Sequence, residues 1–99
     1  MTDLNCGDVK VAVTATGIEV TAKITAAQPA EYRLRFEVET ADGSTIRLPD
    51  GEVAARFYLA DQLMYFTVQM PESVRGANTL NVYADGRLEA SKPFAVPAP

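Results

Sequence analysis

The chain has 99 residues, of which 47% are hydrophobic and 22% are charged, and this is the length and composition of one small globular domain. Nine basic residues against thirteen acidic ones give a formal net charge of −4 at pH 7. A domain this acidic, without a basic stripe or the roughly 20 apolar residues of a membrane-spanning helix, is predicted to bind neither nucleic acid nor a membrane.

Apolar and polar residues alternate along most of the chain, and this period of two predicts half-buried strands. Residues 1–8 are mostly polar and predict an N-terminal arm. In the first half, alternation predicts strands at 9–14, 18–25, 31–39 and 45–48. Each strand is followed by a signal for a turn or a break, at Ala15-Thr16-Gly17, Gln28-Pro29, Asp42-Gly43 and Pro49-Asp50-Gly51.

The segment 52–64 fits two kinds of secondary structure. A helix with Asp50 as its N-cap would align one apolar stripe, formed by Val53, Phe57, Ala60 and Met64. Alternation over the same residues fits a strand equally well. We favour the strand because the neighbouring segments are strands and residues 60–62 can form a turn.

The second half continues the same alternation as far as a Pro-rich tail at 97–99. Strands are predicted at 64–70, 79–83, 87–90 and 94–96, with a crossing loop at 71–78 and a hairpin turn at Asp85-Gly86. Pro93 indicates an edge strand or a bulge, because proline has no N–H to donate to a ladder. Seven or eight antiparallel strands predict one all-β domain over 1–99, an immunoglobulin-like or fibronectin-like β-sandwich.

Residue types that carry catalysis or bind metals are scarce. The chain has no histidine, which excludes Ser-His-Asp and Cys-His machinery and His-ligated zinc, and its one cysteine, Cys6, cannot form an internal disulfide. Glu37 and Glu39 share a strand face, where alternating charges on a solvated surface explain them. The Asp-Gly pairs at 42–43 and 50–51 lack the spacing of an EF-hand loop and predict turns. We therefore predict no catalytic residue, no metal site and no cofactor.

One predicted sheet face carries residue types suited to binding. In an immunoglobulin-like arrangement, the strand at 31–39 and the last two strands share a sheet. Its solvent side would present Arg33, Arg35, Asn81, Tyr83 and Glu89. Arginine and tyrosine are enriched at binding hot spots, although the same residues could simply keep a sheet soluble. A second candidate set points outward if both of its strands form, and consists of Arg56, Tyr58 and Tyr65.

The order of features from residue 31 onward forms a pattern of its own. It comprises the Asp42-Gly43 hairpin, the Pro49-Asp50-Gly51 turn, a strand ending in proline at 64–71, a glycine-led strand at 76–84 and the closing Pro93-Phe94-Ala95-Val96. This pattern resembles small immunoglobulin-like domains of bacteriophage baseplate and tail proteins, including the N-terminal domains of siphophage upper baseplate proteins. It differs at Asn78, where related domains often carry a tyrosine. The resemblance implies a structural or assembly role without catalysis.

The leading hypothesis is a non-enzymatic protein–protein interaction or structural module, as a component of a phage virion, with self-assembly into a homo-oligomer as one form of its partnership. Two alternatives stay open. One is a small acidic regulator or inhibitor of a host protein, and the other is a carbohydrate-binding accessory domain that uses tyrosines as stacking platforms. The N-terminus shows no secretory signal, so we expect synthesis in the cytoplasm.

Overall fold

Eight strands make up the regular structure of the chain in the computed structural model, which describes residues 4–71 and 73–97 and, for 48–51, the backbone only. The strands are β1 (Leu4–Cys6), β2 (Lys10–Thr14), β3 (Gly17–Ala26), β4 (Ala30–Glu39), β5 (Thr45–Phe57), β6 (Gln62–Met70), β7 (Gly76–Ala84) and β8 (Arg87–Val96). The predicted all-β class is confirmed. Within the described residues, no helix is long and apolar enough to cross a membrane.

The strands pair antiparallel in two sheets. In the β3 sheet, β3 pairs with β6 along one edge and with β1 and β2, one after the other, along the opposite edge. In the β4 sheet, the strand order is β5-β4-β7-β8. The two-sheet sandwich confirms the predicted architecture, while its immunoglobulin-like or fibronectin-like classification stays a prediction.

Alternate side chains of both sheets form one core between them. On β3 the residues Ile18, Val20 and Ile24 are fully buried, and on β4 the same holds for Leu34 and Val38. Burying a side chain of this size contributes about 1.5–3 kcal/mol. Because successive side chains of a strand point to opposite faces, the residues between these core positions lie on the outer sides of the sandwich.

The N-terminal segment contributes a strand to the β3 sheet, although residues 1–8 were predicted to form an arm. Leu4 and Cys6 are buried in the core. Cys6 pairs with Ile24, and Lys10 pairs with Thr21. The chain therefore advances four residues from Cys6 to Lys10 where β3 advances only three. One extra residue therefore separates β1 from β2, as in a β-bulge.

β5 continues through the segment in which a chain reversal was predicted. The strand prediction for 52–64 is confirmed up to Phe57, and the turn predicted at Pro49-Asp50-Gly51 is wrong. Arg35 pairs with Glu52, and Glu37 pairs with Arg47. β5 therefore uses five residues to cover a length that β4 covers with two, which leaves three extra residues in β5. An edge strand tolerates three extra residues and a proline, since its outer N–H groups need no ladder partner. The Asp50 side chain, the N-cap of the alternative helix, lies outside the described residues.

Several predicted turns and edges are confirmed. Asp85 and Gly86 both have positive φ angles, 50° and 85°, as a tight two-residue hairpin requires. Pro93 is on β8, which is an edge strand of the β4 sheet, and it lies opposite Thr79 of β7. β7 begins at Gly76, three residues earlier than the alternation predicted, so the loop after β6 is shorter than expected.

Candidate functional site

Four of the five residues in the first predicted binding set lie together on the outer side of the β4 sheet. Arg33 and Arg35 are two residues apart on β4, whose core side carries Leu34 and other buried residues. Tyr83 lies directly opposite Arg35 on β7. Asn81 follows on β7 at the next outward position. We call the surface formed by Arg33, Arg35, Asn81 and Tyr83 the Arg–Tyr face.

Two contacts hold the Arg35 guanidinium in place. Its central carbon lies 4.4 Å from the centroid of the Tyr83 ring, the distance of a cation–π contact. Its Nε lies 3.0 Å from a carboxylate oxygen of Glu37. A side chain held from two directions loses less rotamer freedom when a ligand binds it.

Glu37 is nearly buried although it lies on the outer side of the sheet. Only 8% of the residue is exposed, and two arginines lie beside its carboxylate. Arg35 binds it at 3.0 Å, and Nε of Arg47, on β5, lies 3.8 Å from the same oxygen. Sequence reasoning assigned Glu37 to a solvated face, and the structure makes it the anion that positions Arg35.

The edge of the face on β8 differs from the prediction because of a shift in register. Val82 pairs with Ala90, whereas Tyr83 pairs with Leu88, so Glu89 is the extra residue of a bulge. The Glu89 side chain is 12% exposed and lies 3.4 Å from Arg87. Leu88, half-exposed, takes the outward position beside Tyr83. Leu88 was missed because a bulge reverses the alternation that sequence reasoning follows.

Three hydrogen bonds, between two pairs of residues, order the rest of the Arg–Tyr face. The Ser91 hydroxyl donates to Oδ1 of Asn81 at 2.7 Å. The backbone N–H of Arg33 donates to Oδ1 of Asp85 at 3.0 Å, and the N–H of Asp85 donates to the carbonyl of Arg33 at 2.9 Å. The β7–β8 hairpin therefore fixes the backbone from which the exposed Arg33 side chain projects.

The second predicted set is divided between opposite sides of the sandwich. Arg56 lies on the outer side of the β4 sheet, 3.0 Å from Glu31, and its guanidinium carbon lies 5.6 Å from the Tyr58 ring centroid. Tyr65 lies on β6 opposite Lys23, on the outer side of the β3 sheet. The structure therefore brings Arg56 and Tyr58 together and separates Tyr65 from both.

Tyr65 lines a shallow depression that sequence reasoning did not identify. Its volume is 150 Å³, and its walls are Asp8, Lys10, Thr21, Lys23 and Tyr65. Tyr65 is 62% exposed, so much of its ring is open to a ligand. An aromatic ring beside charged and hydroxyl groups offers both an apolar surface and hydrogen-bonding partners.

A larger groove of 360 Å³ lies beside the β4–β5 hairpin and includes Asp42, Ser44 and Arg75. The hydroxyl of Thr40 donates to Asp42, and the N–H of Ser44 donates to the same oxygen at 2.9 Å. These hydrogen bonds lower the pKa of the Asp42 carboxyl to about 2. Asp42 serves the turn, and within 4–71 and 73–97 no group of three or more His, Cys, Asp or Glu residues could hold a metal ion.

The sequence itself matches no family model, and no curated protein matches it significantly. Solved structures that contain a region of similar fold include two enzymes. One is DesR, a β-glucosidase from Streptomyces venezuelae in complex with D-glucose, with a TM-score of 0.57 and 13% identity over 96% of this chain and 15% of that one. The other is a GH3 β-glucosidase from Bifidobacterium adolescentis, with a TM-score of 0.50 and 18% identity over 96% of this chain and 17% of that one.

These similarities concern the fold alone, because both identities are low. The chain spans less than a fifth of the length of either enzyme. Both neighbours are β-glucosidases and not phage proteins, so the phage kinship inferred from the order of turns gains no support and stays a prediction.

Proposed function

We propose that the chain is a non-catalytic β-sandwich domain that binds another protein through the Arg–Tyr face. The observation that carries this proposal is the arrangement of Arg35, which is stacked on Tyr83 and ion-paired with the nearly buried Glu37. Arginine and tyrosine contribute most to binding when they are central and already ordered. Leu88 beside Tyr83 adds exposed apolar surface to the same face.

The fold comparison supports an accessory role. In the two β-glucosidases the similar region makes up 15% and 17% of the chain, as a part of a much larger protein. A domain that forms one part of a larger chain has neighbouring domains that it can contact. In this chain only the outer faces are open to such contacts, because the inner faces form the core.

A pair of triple variants tests the protein-binding proposal. Arg33→Ala, Arg35→Ala and Tyr83→Ala remove two cations and one tyrosine from the Arg–Tyr face. The charge-matched control, Lys10→Ala, Lys23→Ala and Tyr65→Ala, removes two cations and one tyrosine from the other side of the sandwich. Thermal unfolding first shows that both variants fold. The wild type and the two variants are then immobilised, and the proteins that each retains from a lysate of the source organism are compared.

We expect at least one protein to be retained by the wild type and the control and lost from the Arg–Tyr variant. A retained set that is identical for all three proteins would rule out the Arg–Tyr face as the binding surface. Loss from the control alone would place the contact at the Tyr65 side instead.

A second candidate function is sugar binding at the depression that Tyr65 lines. Its support is the exposed ring surrounded by Lys10, Lys23, Asp8 and Thr21, together with the fold likeness to β-glucosidases. Titration calorimetry with D-glucose and short β-linked glucose oligomers tests it. Binding heat that disappears in Tyr65→Ala and persists in Tyr83→Ala supports the site, and absence of heat with the wild type excludes it.

A further inference from the structure

The outer edge of β6 is a regular, unprotected strand edge. β6 pairs with β3 over nine consecutive residues, from Ala26 with Gln62 to Ile18 with Met70, without a shift in register. No described strand pairs with its other edge. An edge of this kind presents a row of free N–H and C=O groups that another strand can pair with.

The other three edges of the sandwich carry features that obstruct pairing. The β1–β2 edge is broken by a one-residue shift, and β5 contains three extra residues relative to β4. β8 contains Pro93 and the bulge at Glu89. In contrast, the sequence of β6 is Gln-Leu-Met-Tyr-Phe-Thr-Val-Gln-Met, without charge, proline or glycine. Natural sheets commonly protect their edges with such features, and β6 lacks them.

Apolar side chains line β6 on both of its faces. Leu63 and Tyr65 are 40% and 62% exposed on the outer side. Met64, Phe66 and Val68 pack against the core and are only partly buried, because none of the described strands lies beyond β6. A strand added to this edge would cover apolar surface on both faces as well as satisfy the free backbone groups.

The charges beside β6 favour a second copy of this chain arranged antiparallel. On β3, Lys23 lies next to Tyr65 near one end of β6, and Glu19 lies next to Gln69 near the other end. A two-fold axis reverses the second strand and aligns the Lys23 end of one copy with the Glu19 end of the other. Two β6 strands, or roughly 14 Å, separate these charges, so the arrangement sets opposite instead of like charges across the interface without forming an ion pair. β6 itself is uncharged, so two copies place no like charges opposite each other.

We propose that β6 pairs with β6 of a second copy and joins two β3 sheets into one continuous sheet across a two-fold axis. The Arg–Tyr face lies on the other sheet and stays free in this dimer. The proposal therefore stands independently of the proposed protein-binding function.

Two variants and the wild type test the dimer by light scattering over a dilution series. Thr67→Lys places a charge on the outer side of β6, and because of the two-fold axis it introduces two lysines into the paired sheet. We expect the dissociation constant of the dimer to rise by about 100-fold. Ala12→Lys, the matched control, places a lysine on the outer side of β2, an edge strand of the same sheet, and leaves the dissociation constant unchanged.

Amide hydrogen exchange of the wild type gives a test that needs no variant. Pairing with β3 protects every second amide of β6, and pairing with a second copy protects the intervening amides as the protein concentration rises. Three results would overturn the proposal. They are a monomer at millimolar concentration, protection of only alternate β6 amides at all concentrations, and a dimer that survives Thr67→Lys. A dimer lost in Arg35→Ala with Tyr83→Ala, and retained in Thr67→Lys, would assign assembly to the Arg–Tyr face.

Discussion

The outer sides of the two sheets are built from the same alternating pattern and differ in how their side chains are held. On the β4 sheet, Arg35 is fixed by Tyr83 and by Glu37, of which only 8% is exposed. On the β3 sheet, contacts join exposed polar side chains, such as the 3.0 Å hydrogen bond between the hydroxyls of Thr21 and Thr67. Tyr65 remains open there. Alternation therefore decides which side chains face outward, and the neighbouring strands decide whether they are ordered.

The largest expected effect comes from the core that supports both outer sides. Phe57 is 1% exposed and packs edge-to-face against Tyr32 with ring centroids 6.1 Å apart. Phe57→Ala should lower the free energy of unfolding by about 3–5 kcal/mol, because it leaves a cavity. Chemical denaturation measures the change. Tyr58→Ala, at the next and exposed position, should change stability by less than about 0.5 kcal/mol. Equal losses in both variants would contradict the shared core.

The next largest loss of stability is expected on the outer side of the β4 sheet. Glu37→Ala removes the carboxylate that two arginines share, and should cost about 1–2 kcal/mol of unfolding free energy. Glu39→Ala is the control, because Glu39 lies two residues along the same side of β4 and is exposed. If denaturation curves of the two variants coincide, the ion pairs of Glu37 contribute nothing beyond an ordinary surface charge.

On the β3 sheet the corresponding effect should be smaller. Thr21→Val keeps the branched shape and removes the hydroxyl that pairs with Thr67, so we expect a loss of about 0.5 kcal/mol. Thr25→Val serves as the control, since Thr25 lies opposite Leu63 instead of a hydroxyl. A loss from Thr21→Val as large as that from Glu37→Ala would remove the difference between the two outer sides.

The smallest effect concerns the pH dependence of the β4–β5 hairpin. The pKa of Asp42 is lowered from 3.8 to about 2 by hydrogen bonds from Thr40 and then from Ser44. Because the folded state has the lower pKa, the contribution of Asp42 to stability is complete above pH 3.8 and is lost as the pH falls through about 2. Carboxyl chemical shifts followed by NMR should give the low pKa, and Thr40→Val should raise it. An Asp42 titration near 3.8 in the wild type would refute the assigned hydrogen bonds.

Most of the strands were predictable from sequence because they carry their own alternation. Val20 and Leu34 show this, since their burial follows from the immediate neighbours along the chain. β1 has only three residues, too few for a pattern to emerge. The turn predicted at 49–51 failed because its residues suit a bulge in an edge strand as well as a chain reversal.

The candidate site was only partly predictable because it depends on register. Arg35 and Tyr83 were correctly placed on one face, since both are outward residues of strands that share a sheet. Leu88 was missed because the bulge at Glu89 shifts β8 by one residue. The burial of Glu37 depends on Arg47, whose position is set by three extra residues in β5, and no local pattern indicates that number.

Cys6 gives the molecule one internal chemical reporter of local opening. It is the single cysteine of the chain, it is buried on β1, and burial raises the pKa of its thiol. The thiolate is the form that reacts, so a thiol reagent modifies Cys6 when β1 separates from β3. Modification faster than global unfolding would measure the free energy of opening this short strand alone, and equal rates would place β1 within the cooperative unit of the sandwich.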